Sequence, residues 1–506
     1  MLTWRAGQLC AADLRRLLRS NGAARLDPAA RVDVERAAAV VSTIAGRDAS
    51  VYGVNTGFGK LAHTPIPRER LAELQYNLVI SHACGVGAPL RPDVVRLVLA
   101  LKINSLARGY SGVRWAIIEM LLEFLANDVV PMMPGKGSVG ASGDLAPLAH
   151  LAASLIGVGD AFHAGTRMPA RVLLERFNLE PLVLGAKEGL ALLNGTQVST
   201  ALALAGLVGA EDLLAASLVA GALSTEAALG SIMPFDARIQ AVRGHPAQSD
   251  IAALLMTLLA NSDINASHRD CGRVQDPYSL RCMPQVFGAC LATLRTACDT
   301  LVIEANAVSD NPLVFADTEE ILSGGNFHAE PVALAADALA IAIAELGNIS
   351  ERRTALLVDP AFSLLPAFLA TNPGLESGHM IAQVSAAALA SENKLLAHPA
   401  SVDSIPTSAG QEDHVSMATH AARRLEEMLD NAAAIVAIEM LAAARGIAFR
   451  RPLQTSEPLE RALCEIEPDG SSSGDRYLAT DIERVSALVR SGRFTALASG
   501  ILPTTA

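Results

Sequence analysis

Three stretches of the chain concentrate residue types that loops use for chemistry. They are Tyr52-Gly-Val-Asn-Thr-Gly-Phe-Gly59, Pro134-Gly-Lys-Gly-Ser-Val-Gly-Ala-Ser-Gly-Asp144 and Ser323-Gly-Gly-Asn-Phe-His328. Glycine lets a backbone approach a ligand closely, and binding groups gather on loops held by a rigid frame. Gly135, Gly137 and Gly140 fit the G-x-G-x-x-G pattern of dinucleotide binding. That pattern needs a strand directly before it, and Pro131 and Pro134 are poor central-strand residues. Asp160 is suitably spaced for a ribose contact but follows a helical run. The G-x-S-x-G elbow of serine hydrolases is not matched in this stretch. Asn194 stands in an apolar stretch, where an unpaired amide costs on the order of 2 kcal/mol, so it needs a partner.

The elements that must position these loops read as helices. Asp27-Pro28 is an N-cap followed by proline, and its helix ends near Gly46. Pro92-Asp93 opens a helix ending near Gly109, and Arg114 to Asn127 forms the next. Helical patterns follow at about 294–308, 331–357 and 377–397. Ser408 with Gln411 resembles a capping box, and the helix it opens runs to Gly446. Strand patterns are few and short, aromatics make up 4% and Ala and Leu abound, so the expected class is all-α. No repeat or linker interrupts the chain, which reads as one continuous unit.

The run Gly137-Ser-Val-Gly-Ala-Ser-Gly-Asp-Leu-Ala-Pro-Leu148 resembles the signature of the aromatic amino acid lyase family. In that family Ala-Ser-Gly, here Ala141-Ser142-Gly143, cyclises autocatalytically to 4-methylidene-imidazole-5-one. The residue types suit that chemistry. The Gly143 nitrogen must fold back on the Ala141 carbonyl carbon, and glycine leaves it unhindered. Loss of the Ser142 hydroxyl then leaves a conjugated, electron-poor methylidene. Such an electrophile answers a real difficulty, because a β-hydrogen is barely acidic and an amine leaves poorly. Bonding the amine and attacking the aromatic ring both remain open as its mode of action.

The resemblance runs from about residue 50 to 490 and assigns expected roles. Tyr52, before the glycine-rich loop, matches the general base for the β-proton. A phenol ordinarily titrates near about pH 10, so a cationic or dipolar neighbour is implied. Asn194 matches the asparagine that hydrogen-bonds the prosthetic ring. In Gln275-Asp-Pro-Tyr278-Ser-Leu-Arg281, the arginine resembles the one that pairs with the substrate carboxylate. There Tyr278 matches the second catalytic tyrosine and Gln275 a supporting contact. Asn311 matches a residue orienting the carboxylate, and Phe327 an aromatic residue beside the prosthetic group. Asp144 either assists cyclisation or caps a helix over 145–156.

Substrate choice turns on His82 and Glu412. The phenylalanine branch has an apolar residue at the first position and glutamine at the second. An imidazole substrate has two ring nitrogens to satisfy; a histidine takes one and a carboxylate accepts the N–H of the other. The capping box would put Glu412 near a helix N-terminus, where the ionised form is favoured. Tyrosine-specific members also carry a histidine at the first position, so Glu412 decides. One departure is Gly410, where histidine-specific members usually have asparagine. The expected reaction is therefore L-histidine to trans-urocanate and ammonia. Ammonia release from tyrosine or phenylalanine, an aromatic aminomutase and an inactive helical scaffold are the alternatives.

Composition agrees with these expectations. The net charge is -12 with no basic runs, which argues against nucleic acid or an anionic membrane as partner. The apolar stretches 189–224 and 331–350 are interrupted by charges and read as buried helix rather than membrane spans. The seven cysteines, Cys10, Cys84, Cys271, Cys282, Cys290, Cys298 and Cys464, form no CxxC pair or zinc spacing, so a reduced, cytoplasmic protein without a metal is expected. The resemblance implies a long central helical bundle with a smaller N-terminal region carrying the Ala-Ser-Gly loop. On that basis 1–200 is the N-terminal region, 201–450 the bundle and 451–506 the C-terminal helices. It also implies a homotetramer whose active sites are shared between subunits, and no diffusible cofactor.

Overall fold

The computed structural model describes residues 2–20, 24–46, 50–268, 272–468, 470 and 474–505. Cys271 lies outside them; the other cysteines are free thiols. Two compact units are present, each assembled from separated stretches rather than following chain order. The first comprises residues 1–205, 298–337 and 399–423; the second comprises 206–297, 338–398 and 424–506.

In the first unit, Leu71–His82, Leu145–Leu155 and Glu188–Leu193 pack against one another. Pro92–Leu106 packs on Ala11–Arg19 and Trp115–Ala126 and is buried along almost its whole length. Its Pro92 occupies the first turn, where a missing N–H costs nothing. A small core of Ala37, Val41, Ile44, Val54 and Val314 closes the region before the first glycine-rich loop. The strands are short. Val86–Pro89 pairs antiparallel with Pro134–Lys136, which ties the chain after His82 to the chain before Ser138. Leu313–Phe315 and Glu320–Leu322 form a hairpin that brings Asn311 to Ser323. Pro131 and Pro134 therefore do lie in strands, contrary to expectation, but in short antiparallel pairs. A βαβ dinucleotide unit is still excluded, because it needs parallel strands.

The second unit is built on Leu425–Ala448, which packs against Met380–Leu396 and Leu478–Arg490. Ala382, Ala386 and Ala390 recur every fourth residue and meet Ile435 and Ile438, so the two helices approach closely. Arg353 and Glu439 form a fully buried pair, with contacts of 2.5 and 2.8 Å, and Ser224 donates to the same carboxylate at 2.6 Å. Three bonds to one buried carboxylate offset a desolvation cost that a lone charge could not survive.

Helix positions match the expected ones at Arg31–Ala45, Pro92–Leu106, Trp115–Ala126, Glu330–Val358 and Met380–Leu396. The expected helix from Ser408 to Gly446 is corrected. Ser408–Gly410 is a single 3-10 turn, and Ser408 and Ala409 adopt positive φ of 53° and 55°. Residues in the left-handed region cannot continue an α-helix. Helix resumes only at Ala418, after Ser416 accepts from the Ala418 N–H at 3.3 Å.

Four stretches, Gln197–Ala227, Met283–Ala305, Glu330–Val358 and Ala418–Ala448, are long and apolar enough to cross a membrane by length and composition. The acids of the first each meet a protein donor. Glu211 accepts the Thr504 N–H at 3.1 Å, Asp212 the Thr495 hydroxyl at 2.7 Å, and Glu226 the Ser262 hydroxyl. A helix solvated by lipid offers no such partners along its flanks.

Candidate functional site

A cavity of about 1050 Å³ opens in the first unit, and all its lining residues belong to that unit. Tyr52, His82, Ala141, Ser142, Asn194, Asn311, Phe327 and Glu412 are among them. Residues separated by hundreds of positions in the chain thus face one space.

The Ala141-Ser142-Gly143 segment is held from three sides. Gly143 has φ +69°, and a Cβ there would lie 2.2 Å from the Gly195 carbonyl oxygen. No side chain fits, so glycine is required by contact as well as by conformation. The Asp144 N–H donates to the same carbonyl at 2.8 Å. Asn194 Nδ2 donates to the Ser142 carbonyl at 2.7 Å, while its Oδ1 is buried without a hydrogen-bond partner. Upstream, Gly140 accepts the Ser416 hydroxyl at 2.9 Å and the Ala329 N–H at 3.2 Å.

Asp144 does not cap the helix Leu145–Leu155 through its side chain. Its buried carboxylate instead accepts hydroxyls of Ser138 at 2.9 Å, Thr419 at 2.6 Å and Ser199 at 2.9 Å, and the Ser199 N–H at 2.8 Å. Four donors converge on one carboxylate beside Gly143, which fixes that end of the tripeptide.

Glu412 reaches the other end. Its Oε1 accepts the Ser142 hydroxyl at 2.5 Å and its Oε2 the Thr407 hydroxyl at 2.6 Å. The backbone bridge between Thr407 and Glu412 sets this geometry; Glu412 does not sit at the expected α-helix N-terminus, so no helix dipole favours its charge. Gly410, at φ +80°, turns the chain between them, and nothing lies within 4 Å of a Cβ placed there. Asparagine is among the few other residues that enter the left-handed region, so the open space leaves room for it at this position.

His82 is the last residue of Leu71–His82, and its Nδ1 lies 3.1 Å from the Ser81 hydroxyl. Burial pushes its imidazole below the usual range, opposed by the Leu78 backbone and the Glu412 charge. Burial thus favours its neutral form, and the Glu412 charge works against that. Tyr52 precedes Gly53, whose φ is +76° and where a Cβ would lie 2.8 Å from both Leu190 and Pro312. Asn311 is already engaged: it donates to Ser323 Oγ at 3.0 Å and accepts from the Gly324 N–H at 2.7 Å.

Gln275, Tyr278 and Arg281 belong to the second unit and are not among the cavity residues. Tyr278 is 71% exposed and opens the short helix Tyr278–Arg281. Arg281 stacks over the Tyr278 ring at 4.7 Å and donates to the Asp276 carbonyl at 3.2 Å.

Lys102 escaped sequence reasoning. It is fully buried, and its Nζ donates to the carbonyls of Ala191 at 3.1 Å and Asn194 at 2.8 Å. Burial pushes it down to about 7, against the pull of Asp310 and Asp144. The signal was present: Lys102 interrupts Leu97-Val-Leu-Ala-Leu-Lys-Ile103, where a solvated lysine has no place. Thr407, Ser138, Ser199 and Thr419 carried no such signal, since each is an ordinary hydroxyl residue in sequence.

Known proteins match this chain along its length. The profile of the aromatic amino acid lyase family matches residues 9–468. A histidine ammonia-lyase of Burkholderia mallei is 57% identical over 498 residues, covering 98% of each chain. The crystal structure of histidine ammonia-lyase from Trypanosoma cruzi is 41% identical, with a TM-score of 0.91, covering 99% of this chain and 96% of that one. Tyrosine aminomutase from Streptomyces globisporus is 34% identical, with a TM-score of 0.93, covering 98% of each chain.

Proposed function

The chain belongs to the aromatic amino acid lyase family, and on that premise we propose that it eliminates ammonia from L-histidine to give trans-urocanate. The observation carrying the substrate is Glu412, whose carboxylate lies 2.5 Å from the Ser142 oxygen, with His82 lining the same cavity. The relatives named histidine ammonia-lyase support the same reading.

The residues fit a prosthetic group, 4-methylidene-imidazole-5-one, formed from Ala141, Ser142 and Gly143. Asn194 Oδ1 is a buried acceptor without a partner, and buried acceptors rarely stay unpaired. The glycine at 143 is required by the Gly195 backbone. When formed, the group supplies an electrophile that no ordinary side chain offers. Cyclisation removes the Ser142 hydroxyl, and with it one partner of Glu412. The freed carboxylate oxygen then accepts the N–H of a substrate imidazole, and neutral His82 serves the second ring nitrogen. Tyr52 takes the β-proton. Asn194, with Asp144, holds the tripeptide in place while Phe327 packs beside it. Asn311 orients the substrate carboxylate.

Arg281, Tyr278 and Gln275 complete the site from a second copy of the chain in a homotetramer. The exposure of Tyr278 supports this. Free thiols at Cys10, Cys84, Cys282, Cys290, Cys298 and Cys464 suit a cytoplasmic enzyme.

The test is ultraviolet absorbance with L-histidine, L-tyrosine and L-phenylalanine supplied separately. A urocanate band with histidine alone is expected. A product from tyrosine or phenylalanine instead would overturn the roles of His82 and Glu412. A β-amino acid product would make the enzyme an aminomutase. The fragment containing residues 141–143 should weigh two waters less than its sequence; a full-weight fragment would sink the prosthetic group.

A further inference from the structure

We propose that His328, Glu330 and His414 form a binding site for a divalent transition-metal ion at the rim of the cavity. Each offers one ligand atom, and these atoms lie within 4.8 Å of one another. His328 and His414 both line the cavity, and their rings are nearly parallel, at 3°, with centroids 5.5 Å apart.

The contact between His414 and Glu330 carries the inference. His414 Nε2 lies 4.0 Å from Glu330 Oε2. That is too long for a hydrogen bond, which ends near about 3.2 Å. Two bonds of about 2.0–2.2 Å at a tetrahedral angle span about 3.4 Å, so a small side-chain rotation would bring both atoms onto one ion. Glu330 Oε2 is buried and has no hydrogen-bond partner. On the far side of its ring, His414 Nδ1 lies 3.4 Å from the Ser404 hydroxyl, which leaves Nε2 turned toward the carboxylate. A metal ion between them would give the buried carboxylate oxygen the partner it lacks and would take the imidazole nitrogen as a second ligand. Two imidazoles and one carboxylate suit zinc, cobalt or nickel better than calcium or magnesium.

The site has a consequence for the cavity. His328 follows Phe327, and His414 lies two residues after Glu412. A bound ion would link these two cavity segments across 86 positions of sequence. Sequence spacing hid the set, and no catalytic role follows from it.

Cobalt is the direct probe. Purified full-length protein, stripped with chelator, should bind one Co(II) per chain with a visible d–d band. His414→Ala and His328→Ala should each weaken binding at least tenfold, and Glu330→Gln should weaken it too. His414 is exposed, so its variant is expected to keep the parent melting temperature. Zinc at stoichiometric amounts should displace the cobalt band. Absence of a band, or equal cobalt binding by His414→Ala and His328→Ala, would overturn the site. Because the readout is binding, it stands apart from the identity of the substrate.

Discussion

At the scale of residues, Glu412 holds the Ser142 hydroxyl, and in the proposed reaction the loss of that hydroxyl would free the same carboxylate for substrate. Glu412→Gln keeps the shape but offers an N–H or a neutral oxygen where an imidazole N–H needs an anion. We expect kcat/KM for L-histidine to fall on the order of 10²-fold or more, about 2.7 kcal/mol in the transition state. Steady-state kinetics checks this; a fully active variant would remove the substrate argument. A second residue governs acid stability in the other unit. His379 is buried with both ring nitrogens unpartnered and is pushed down to about 4 by burial, then by Arg476 and Arg445. Its folded value is depressed, so the unfolded chain binds its proton first. Stability is full above about pH 6.5 and falls as pH drops toward 4, by roughly 3 kcal/mol. Denaturation midpoints at pH 7 and 4.5 should differ less in His379→Phe than in the parent.

At the scale of elements, short turns set what long helices cannot. The turn from Thr407 to Glu412 aims a carboxylate at Ser142, and Gly410 follows Ser408 and Ala409 as its third residue at positive φ. Open space beside Gly410 predicts that Gly410→Asn folds normally and keeps turnover within a few-fold, at a stability cost under about 1 kcal/mol. A large loss of activity would show that the turn needs glycine's wider freedom. The helix Pro92–Leu106 acts through Lys102, which ties the Glu188–Leu193 helix and Asn194 by two carbonyls. Lys102→Met leaves both carbonyls buried and unpaired, at about 1–3 kcal/mol each. We expect a smaller share of the chain to carry the two-water mass loss. Unchanged cyclisation in that variant would reduce Lys102 to a packing residue.

At the scale of the whole molecule, the residues proposed for substrate capture are split between two units. If copies share sites, chains carrying Ser142→Ala and chains carrying Arg281→Ala, each inactive alone, should complement when co-expressed. Random assembly leaves about a quarter of sites with both native residues. Activity near that fraction is expected, and none at all would place Arg281 and the tripeptide of a site on one chain.

Much of this was legible before the fold. The all-α class follows from Ala and Leu at helical spacing and from scarce aromatics. Helix starts at Asp27-Pro28 and Pro92 follow from local backbone constraints that proline imposes wherever it stands. Ala141-Ser142-Gly143 was legible because its chemistry is contained in consecutive residues. The helix from Ser408 was misread because a serine followed by glutamine is compatible with a cap and with a turn. Only the left-handed backbone at Ser408 and Ala409, held by the Thr407–Glu412 bridge, decides between them. For Asp144 sequence leaves a helix cap and a part in cyclisation both open; the fold excludes the side-chain cap, because donors from Ser138, Ser199 and Thr419 close on its carboxylate. Lys102 and the His328–Glu330–His414 cluster depend on neighbours far away in sequence. Sequence determined the residue types and the covalent chemistry they allow. Tertiary structure decided which of them meet, because packing alone sets distances between segments that no local rule connects.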